Sequence, residues 1–134
     1  MADYRSYGAQ SGHYFDRAHE RAATRAIETP AAWRGGDPDS IGDWRFGLAP
    51  AHVAELDRAL AHAAATGKDT GQLSAEDFPL PTLSPEIRRW RDTIADGRGF
   101  QVVSGFPVDR WSLAESERAF WCVGLHLGQP GAQN

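Results

Sequence analysis

Gly97-Arg98-Gly99-Phe100-Gln101-Val102-Val103-Ser104-Gly105-Phe106-Pro107-Val108 is the stretch on which the chain turns. Glycine accepts a positive φ without steric penalty, so Gly97 and Gly99 are read as ending one helix and reversing the chain. The β-branched and aromatic run from Phe100 to Phe106 then predicts a strand, with Phe100, Val102, Ser104 and Phe106 on one face. Val103 keeps the opposite face partly apolar, which suits a strand covered on both sides. Pro107 closes it, because proline cannot donate to a ladder.

A helix is predicted before this strand, over 84–96. Ser84 is its expected N-cap, Pro85 fits the first helical position, and Glu86 sits at the positive end of the dipole. Ile87, Trp90 and Ile94 form its inner face. Upstream, Phe78-Pro79-Leu80-Pro81-Thr82-Leu83 alternates apolar residues with prolines and reads as a stiff, extended segment that can pack. An amphipathic helix over 50–66 precedes it, with Pro50 in the first turn, a stripe of Val53, Leu56, Leu60 and Ala63, and Gly67 after its end. After the strand, Ser112-Leu113-Ala114-Glu115 has capping-box spacing and opens a helix over 112–127. Leu113, Phe120, Val123, Gly124 and Leu127 mark its inner side, and Gly128 and Pro130 end it. Leu56, Leu60, Ile87, Trp90, Ile94, Phe100, Val102, Phe106, Phe120 and Val123 are the expected core.

Residues 1–28 are rich in Gly, Ser, Arg and Ala and read as a poorly ordered leader. Within it, a thin stripe of Phe15, Ala18, Ala22 and Ala26 allows a polar helix over Tyr14 to Ile27. Thr29 to Pro38 is a connector punctuated by proline and glycine. Its Trp33, with Trp44 further on, is expected to pin the connector to the domain surface rather than to stack on a ligand.

A chain of 134 residues is sized for one domain or part of a larger one. Fourteen basic against 18 acidic side chains leave a net charge of -4, which argues against a nucleic-acid partner. Neither a membrane-spanning apolar run nor a signal-peptide core is present, so no membrane partner is expected. The single cysteine, Cys122, has no internal disulfide partner, which fits a cytoplasmic location.

The residues that could carry chemistry are sparse. His13, His19 and Glu20 lie on the weakly patterned leader, and solvated side chains are the simpler reading than a metal site. His52 and His62 fall off the apolar stripe of their helix, at a spacing that matches no two-ligand motif. Cys122 and His126 are four apart on one helix and could approach a common ion, but packing is the stronger reading. Ser104 lacks the Gly-X-Ser-X-Gly elbow and an evident histidine partner, so nucleophilic catalysis has little support.

The ordered pieces Ala32-Trp33-Arg34-Gly35, Phe78-Pro79-Leu80-Pro81, Gly97-Arg98-Gly99-Phe100, Ser104-Gly105-Phe106-Pro107 and Gly124-Leu125-His126-Leu127-Gly128-Gln129-Pro130, ending in Gln133-Asn134, resemble the N-terminal part of the TauD/TfdA family of Fe(II)- and 2-oxoglutarate-dependent dioxygenases. The resemblance covers roughly 29–134. It implies an α+β architecture, three helices around one or a few strands, as an incomplete N-terminal portion of a double-stranded β-helix (jelly-roll, clavaminate synthase-like) domain. It also implies an oxidoreductase acting on a small-molecule substrate, with iron held by a His-X-Asp/Glu pair and a distal histidine, and an arginine gripping the 2-oxoglutarate carboxylate.

This chain departs from that pattern at the metal. The residues two positions after His13, His19, His52, His62 and His126 are Phe15, Arg21, Ala54, Ala64 and Gly128, none of them acidic. The iron ligands are therefore expected beyond Asn134. On this reading the chain alone holds no catalytic or metal-binding residue, binds neither Fe(II) nor 2-oxoglutarate, and is inactive. The resemblance brings Gln133 and Asn134 to the mouth of the substrate pocket, where their amides would orient a polar substrate; the simpler reading is that they are exposed turn residues. The competing expectation is a stand-alone interaction module that pairs through an exposed strand edge.

Overall fold

A computed structural model describes residues 6–16, 18, 24–35 and 44–131. Among these residues, four α-helices and two short strands follow one another as α1 (Tyr7–Asp16), β1 (Arg45–Gly47), α2 (Pro50–Ala65), α3 (Ser84–Ala95), β2 (Val102–Ser104) and α4 (Leu113–Leu127). The three expected helices α2, α3 and α4 are found within a residue or two of their predicted bounds. The strands form a parallel pair in which Arg45, Phe46 and Gly47 face Val102, Val103 and Ser104. The architecture is thus mixed, helices with a small parallel sheet, and is compatible with part of a dioxygenase domain.

Of the helix expected over Tyr14 to Ile27, residues 17 and 19–23 lie outside the described residues, and Ala18 is non-helical. Thr24 to Glu28 are non-helical, and α1 lies earlier because the Ser6 hydroxyl accepts from the Ala9 amide and so caps it there. None of its ten side chains is buried.

The core lies where α2, α3 and α4 meet the connector between α2 and α3. Leu56, Ala59, Leu60 and Ala63 come from α2, Ile87 and Trp90 from α3, and Ala119, Cys122 and Val123 from α4. Leu73, Phe78, Leu80 and Leu83 of the connector are equally buried. Along Phe78 to Leu83 the apolar side chains point inward while Pro79 and Pro81 face water. Fully burying side chains of this size contributes about 2 kcal/mol each, so the connector is as much a core element as any helix.

Two polar devices hold the connector. Asp77 accepts from Lys68 Nζ at 2.7 Å and from the Ser74 amide and hydroxyl at 2.8 and 2.9 Å. Glu55, only 3% exposed, accepts from the amides of Thr82 and Leu83, both at 2.8 Å. Glu55 thereby satisfies N–H groups at the start of α3, a task expected of Ser84. Ser84 is instead the first helical residue after an N-cap at Leu83, which makes no side-chain cap bond.

Four expected core residues are placed differently. Ile94 is on the inner side of α3 but in its last turn, beyond the cover of the core, and is 44% exposed. Phe120 of α4 is 85% exposed. The parity of the central strand is also reversed: Val102 is 41% exposed, whereas Val103 packs on the core. Gly105, at φ +93°, breaks the two-residue alternation and turns Phe106 back inward. Phe100 leaves the core altogether. Its ring lies 5.3 Å from Trp33 and 6.1 Å from Trp44, and Trp33 Nε1 donates to the Arg98 carbonyl at 3.0 Å, so the two tryptophans pin the connector as anticipated. The left-handed turn before the strand falls on Gly99, at φ +87°, and not on Gly97.

Candidate functional site

The Ser112 hydroxyl accepts from the Glu115 amide at 3.2 Å, and the Glu115 carboxylate accepts from the Ser112 amide and hydroxyl at 2.8 and 2.7 Å. This reciprocal cap fixes the start of α4 as the spacing predicts. The Ser112 hydroxyl, followed by its amide, holds the Glu115 carboxyl below its ordinary value of 4.5. Just before the cap, Asp57 of α2 accepts from Arg110 at 2.8 Å and from Trp111 Nε1 at 2.9 Å. The Arg110 guanidinium, with help from Trp111 and Arg58, keeps the Asp57 carboxyl below 3.8. Asp57 thus clamps the loop after β2 and sets the plane of the Trp111 indole.

That indole forms one wall of an apolar groove of about 460 Å³ between β2, the following loop and α4. Val103, Phe106, Trp111, Phe120, Val123 and Leu127 line it, and Gln101 and Ser116 are its polar members. Among the described residues no charged side chain contributes to the lining. Trp90 borders the groove and keeps its indole N–H buried without a hydrogen-bond partner. Such a surface excludes ions and favours apolar groups.

A second depression of about 500 Å³ runs from Phe120 and Trp121 to Gly128, Pro130 and Gly131 at the end of α4. The two candidate substrate-binding residues, Gln133 and Asn134, lie outside the described residues, as do His19 and Glu20.

The remaining histidines do not converge. His126 Nε2 lies 2.8 Å from the Phe78 carbonyl, which can only accept, so this nitrogen carries a proton and has no lone pair for a metal. His52 Nδ1 accepts from the Ala49 amide at 3.2 Å while the ring stacks on Phe46. His13 and His62 are exposed. Burial raises the Cys122 thiol to about 11, which keeps it neutral and a poor ligand. Among the described residues no three His, Cys, Asp or Glu side chains could hold a metal ion. These residues do not fit the iron that the resemblance implies, and no catalytic step is drawn through it. Ser104 Oγ faces the Phe46 carbonyl at 3.4 Å and is exposed, an edge position rather than a nucleophile's.

Sequence reasoning missed Glu55 and Asp57. Glu55 occupies the buried side of α2 next to Leu56, and that inward charge was the available signal. Its partners lie 27 and 28 residues away and have no local signature.

No helix among the described residues is long and apolar enough to cross a membrane. No family model matches the chain. It is 30% identical to the taurine hydroxylase-like protein SAT17 of Stachybotrys chartarum over 113 residues, 84% of this chain and 29% of that protein. It is 25% identical to the FR-33289 synthase of Streptomyces rubellomurinus over 104 residues, 78% of this chain and 31% of the synthase. The chain therefore spans about three-tenths of the length of the curated relatives it matches. Over about 80% of its length, at low identity, this chain is homologous to proteins of the Fe(II)/2-oxoglutarate dioxygenase family, of the TauD/TfdA type.

Proposed function

We propose that this chain supplies the front scaffold of a TauD-type Fe(II)/2-oxoglutarate dioxygenase that oxidises a small molecule in the cytoplasm. On this reading the double-stranded β-helix and the iron ligands belong to polypeptide outside the matched region. The observation that carries the reading is the unequal coverage: about 80% of this chain aligns with relatives of which it represents only about 30%. The chemistry of the histidines supports it, because none is followed two residues later by a carboxylate. Gln133 and Asn134 then lie near the substrate pocket, where amides can donate to and accept from a polar substrate.

A chimera tests this: FR-33289 synthase in which the stretch matched by this chain is exchanged for it, assayed for 2-oxoglutarate turnover and formation of FR-33289. Turnover by the chimera, with none by the isolated chain given Fe(II) and ascorbate, is the expected result. Turnover by the isolated chain would contradict the scaffold reading, and so would a folded but inactive chimera. Asn134→Ala in the chimera is expected to raise the substrate KM or to uncouple 2-oxoglutarate consumption, with iron binding intact.

The alternative, a stand-alone interaction module, draws on the two-stranded sheet and the exposed Phe120. It predicts a partner for the isolated chain and no activity in the chimera.

A further inference from the structure

The helix α4 has two apolar faces. Ala119, Cys122 and Val123 are buried against the core, whereas Leu113 and Phe120 are 76% and 85% exposed. Gly124 continues the outer row at helical spacing, and Leu127, partly buried against the core, joins it to the inner face. The outer row lies beside the uncharged groove, and β2 forms the groove's other wall.

The β2 edge is open as well. Val102 donates to the Trp44 carbonyl at 3.0 Å and Ser104 accepts from Leu48 at 2.9 Å, so both residues turn their backbones toward β1. By the alternation of a parallel ladder, Val103 turns its N–H and C=O to the opposite edge. Among the described residues the sheet ends there. An apolar helix face, an uncharged groove and an unpaired strand edge thus adjoin one another.

We propose that this groove is the docking site for one extended apolar segment, which pairs with β2 along Val103 and lays alternate side chains against Phe120 and Trp111. The segment comes from the seven-tenths of the dioxygenase polypeptide that has no counterpart in this chain. Two features select this occupant. The unmatched length of the relatives supplies a polypeptide for it. The absence of charge among the described lining residues favours an apolar strand over a charged ligand. The proposal rests on the scaffold reading and goes beyond it by naming the surface where the two parts meet.

Phe120→Asp, made both in the isolated chain and in the FR-33289 synthase chimera, tests it by thermal unfolding. In the isolated chain the exposed position tolerates the charge, and the midpoint stays within about 2 °C. In the chimera the charge is buried without a partner, and the midpoint falls by more than about 5 °C. A chimera indifferent to Phe120→Asp overturns the groove even if it is active, and the scaffold reading then survives. A chimera with the expected drop but no 2-oxoglutarate turnover supports the groove and removes the scaffold reading. A chimera that does not fold also overturns the groove, because the surface then does not accept the synthase polypeptide. Sedimentation velocity of the isolated chain provides an independent check: a monomer is expected, and a dimer abolished by Phe120→Asp would assign the groove to a second copy and overturn the proposal.

Discussion

The inner and outer faces of α4 carry comparable apolar character and meet opposite fates. Inside, three residues no larger than valine, Ala119, Cys122 and Val123, are packed against α2, α3 and the connector. Outside, Phe120 is bulkier than any of them and faces water. Hydrophobicity alone therefore does not say which face of a helix is covered. That depends on which partners the same chain supplies, and among the described residues partners are supplied for one face only.

The largest effects are expected on the covered side. Phe78 is fully buried in the connector, and Phe78→Ala is expected to cost about 3–5 kcal/mol in urea unfolding, by lost transfer energy plus a cavity. Glu55→Ala comes next. It leaves the Thr82 and Leu83 amides without their acceptor, which costs about 2–4 kcal/mol by the same measurement. If Glu55→Ala were neutral, the inner face would owe its order to packing alone, and the polar cap on α3 would be incidental.

A smaller loss is expected from His126→Leu, which removes the donor to the Phe78 carbonyl and leaves that oxygen unpaired, at about 1–2 kcal/mol. Retention of full stability would show that the connector is held by its leucines without this bond.

The same comparison explains what could be read from sequence. Helices α2, α3 and α4 were legible because proline, serine and glycine punctuate them and their periodicity is local. The stripe Leu113, Phe120, Val123, Gly124 and Leu127 was found correctly as apolar, but most of it turned out to be the open face, since no local signal reports the partner of a helix. The strand parity failed for a different reason. Counting in twos across Gly105 ignores its left-handed backbone, so Val102 and Val103 exchanged faces. Strand β1 and the Glu55 cap depend on contacts between distant residues, and neither has a local pattern. Leu73, Phe78, Leu80 and Leu83 were legible as a packing segment but not as the centre of the core, because burial of an extended strip depends on the helices around it.

Acid should loosen the molecule at identifiable points. Lys68 hydrogen-bonds Asp77 and, with Ser74, holds its carboxyl well below the usual 3.8, and Asp57 and Glu115 are lowered by Arg110 and Ser112. Groups depressed in the folded state contribute stability above their unfolded values, and that contribution is lost as pH falls through the folded ones. Urea midpoints are therefore expected to be level above about pH 5 and to decline below about pH 4. Asp57→Asn should flatten part of that decline, and an unchanged slope would remove the Asp57 clamp from the account. Glu115 is exposed and Asp57 keeps about a third of its side chain in solvent, so their share of the effect is modest.

The smallest expected effect tests the two-faced helix most directly. Urea unfolding of the isolated chain carrying Phe120→Ala should match the unsubstituted chain within about 0.5 kcal/mol, as for an exposed residue with no partner, while Phe78→Ala loses several times more. A loss from Phe120→Ala comparable to that from Phe78→Ala would mean that the outer face is already covered within this chain, and would contradict the proposal that α4 is completed by a further segment of polypeptide.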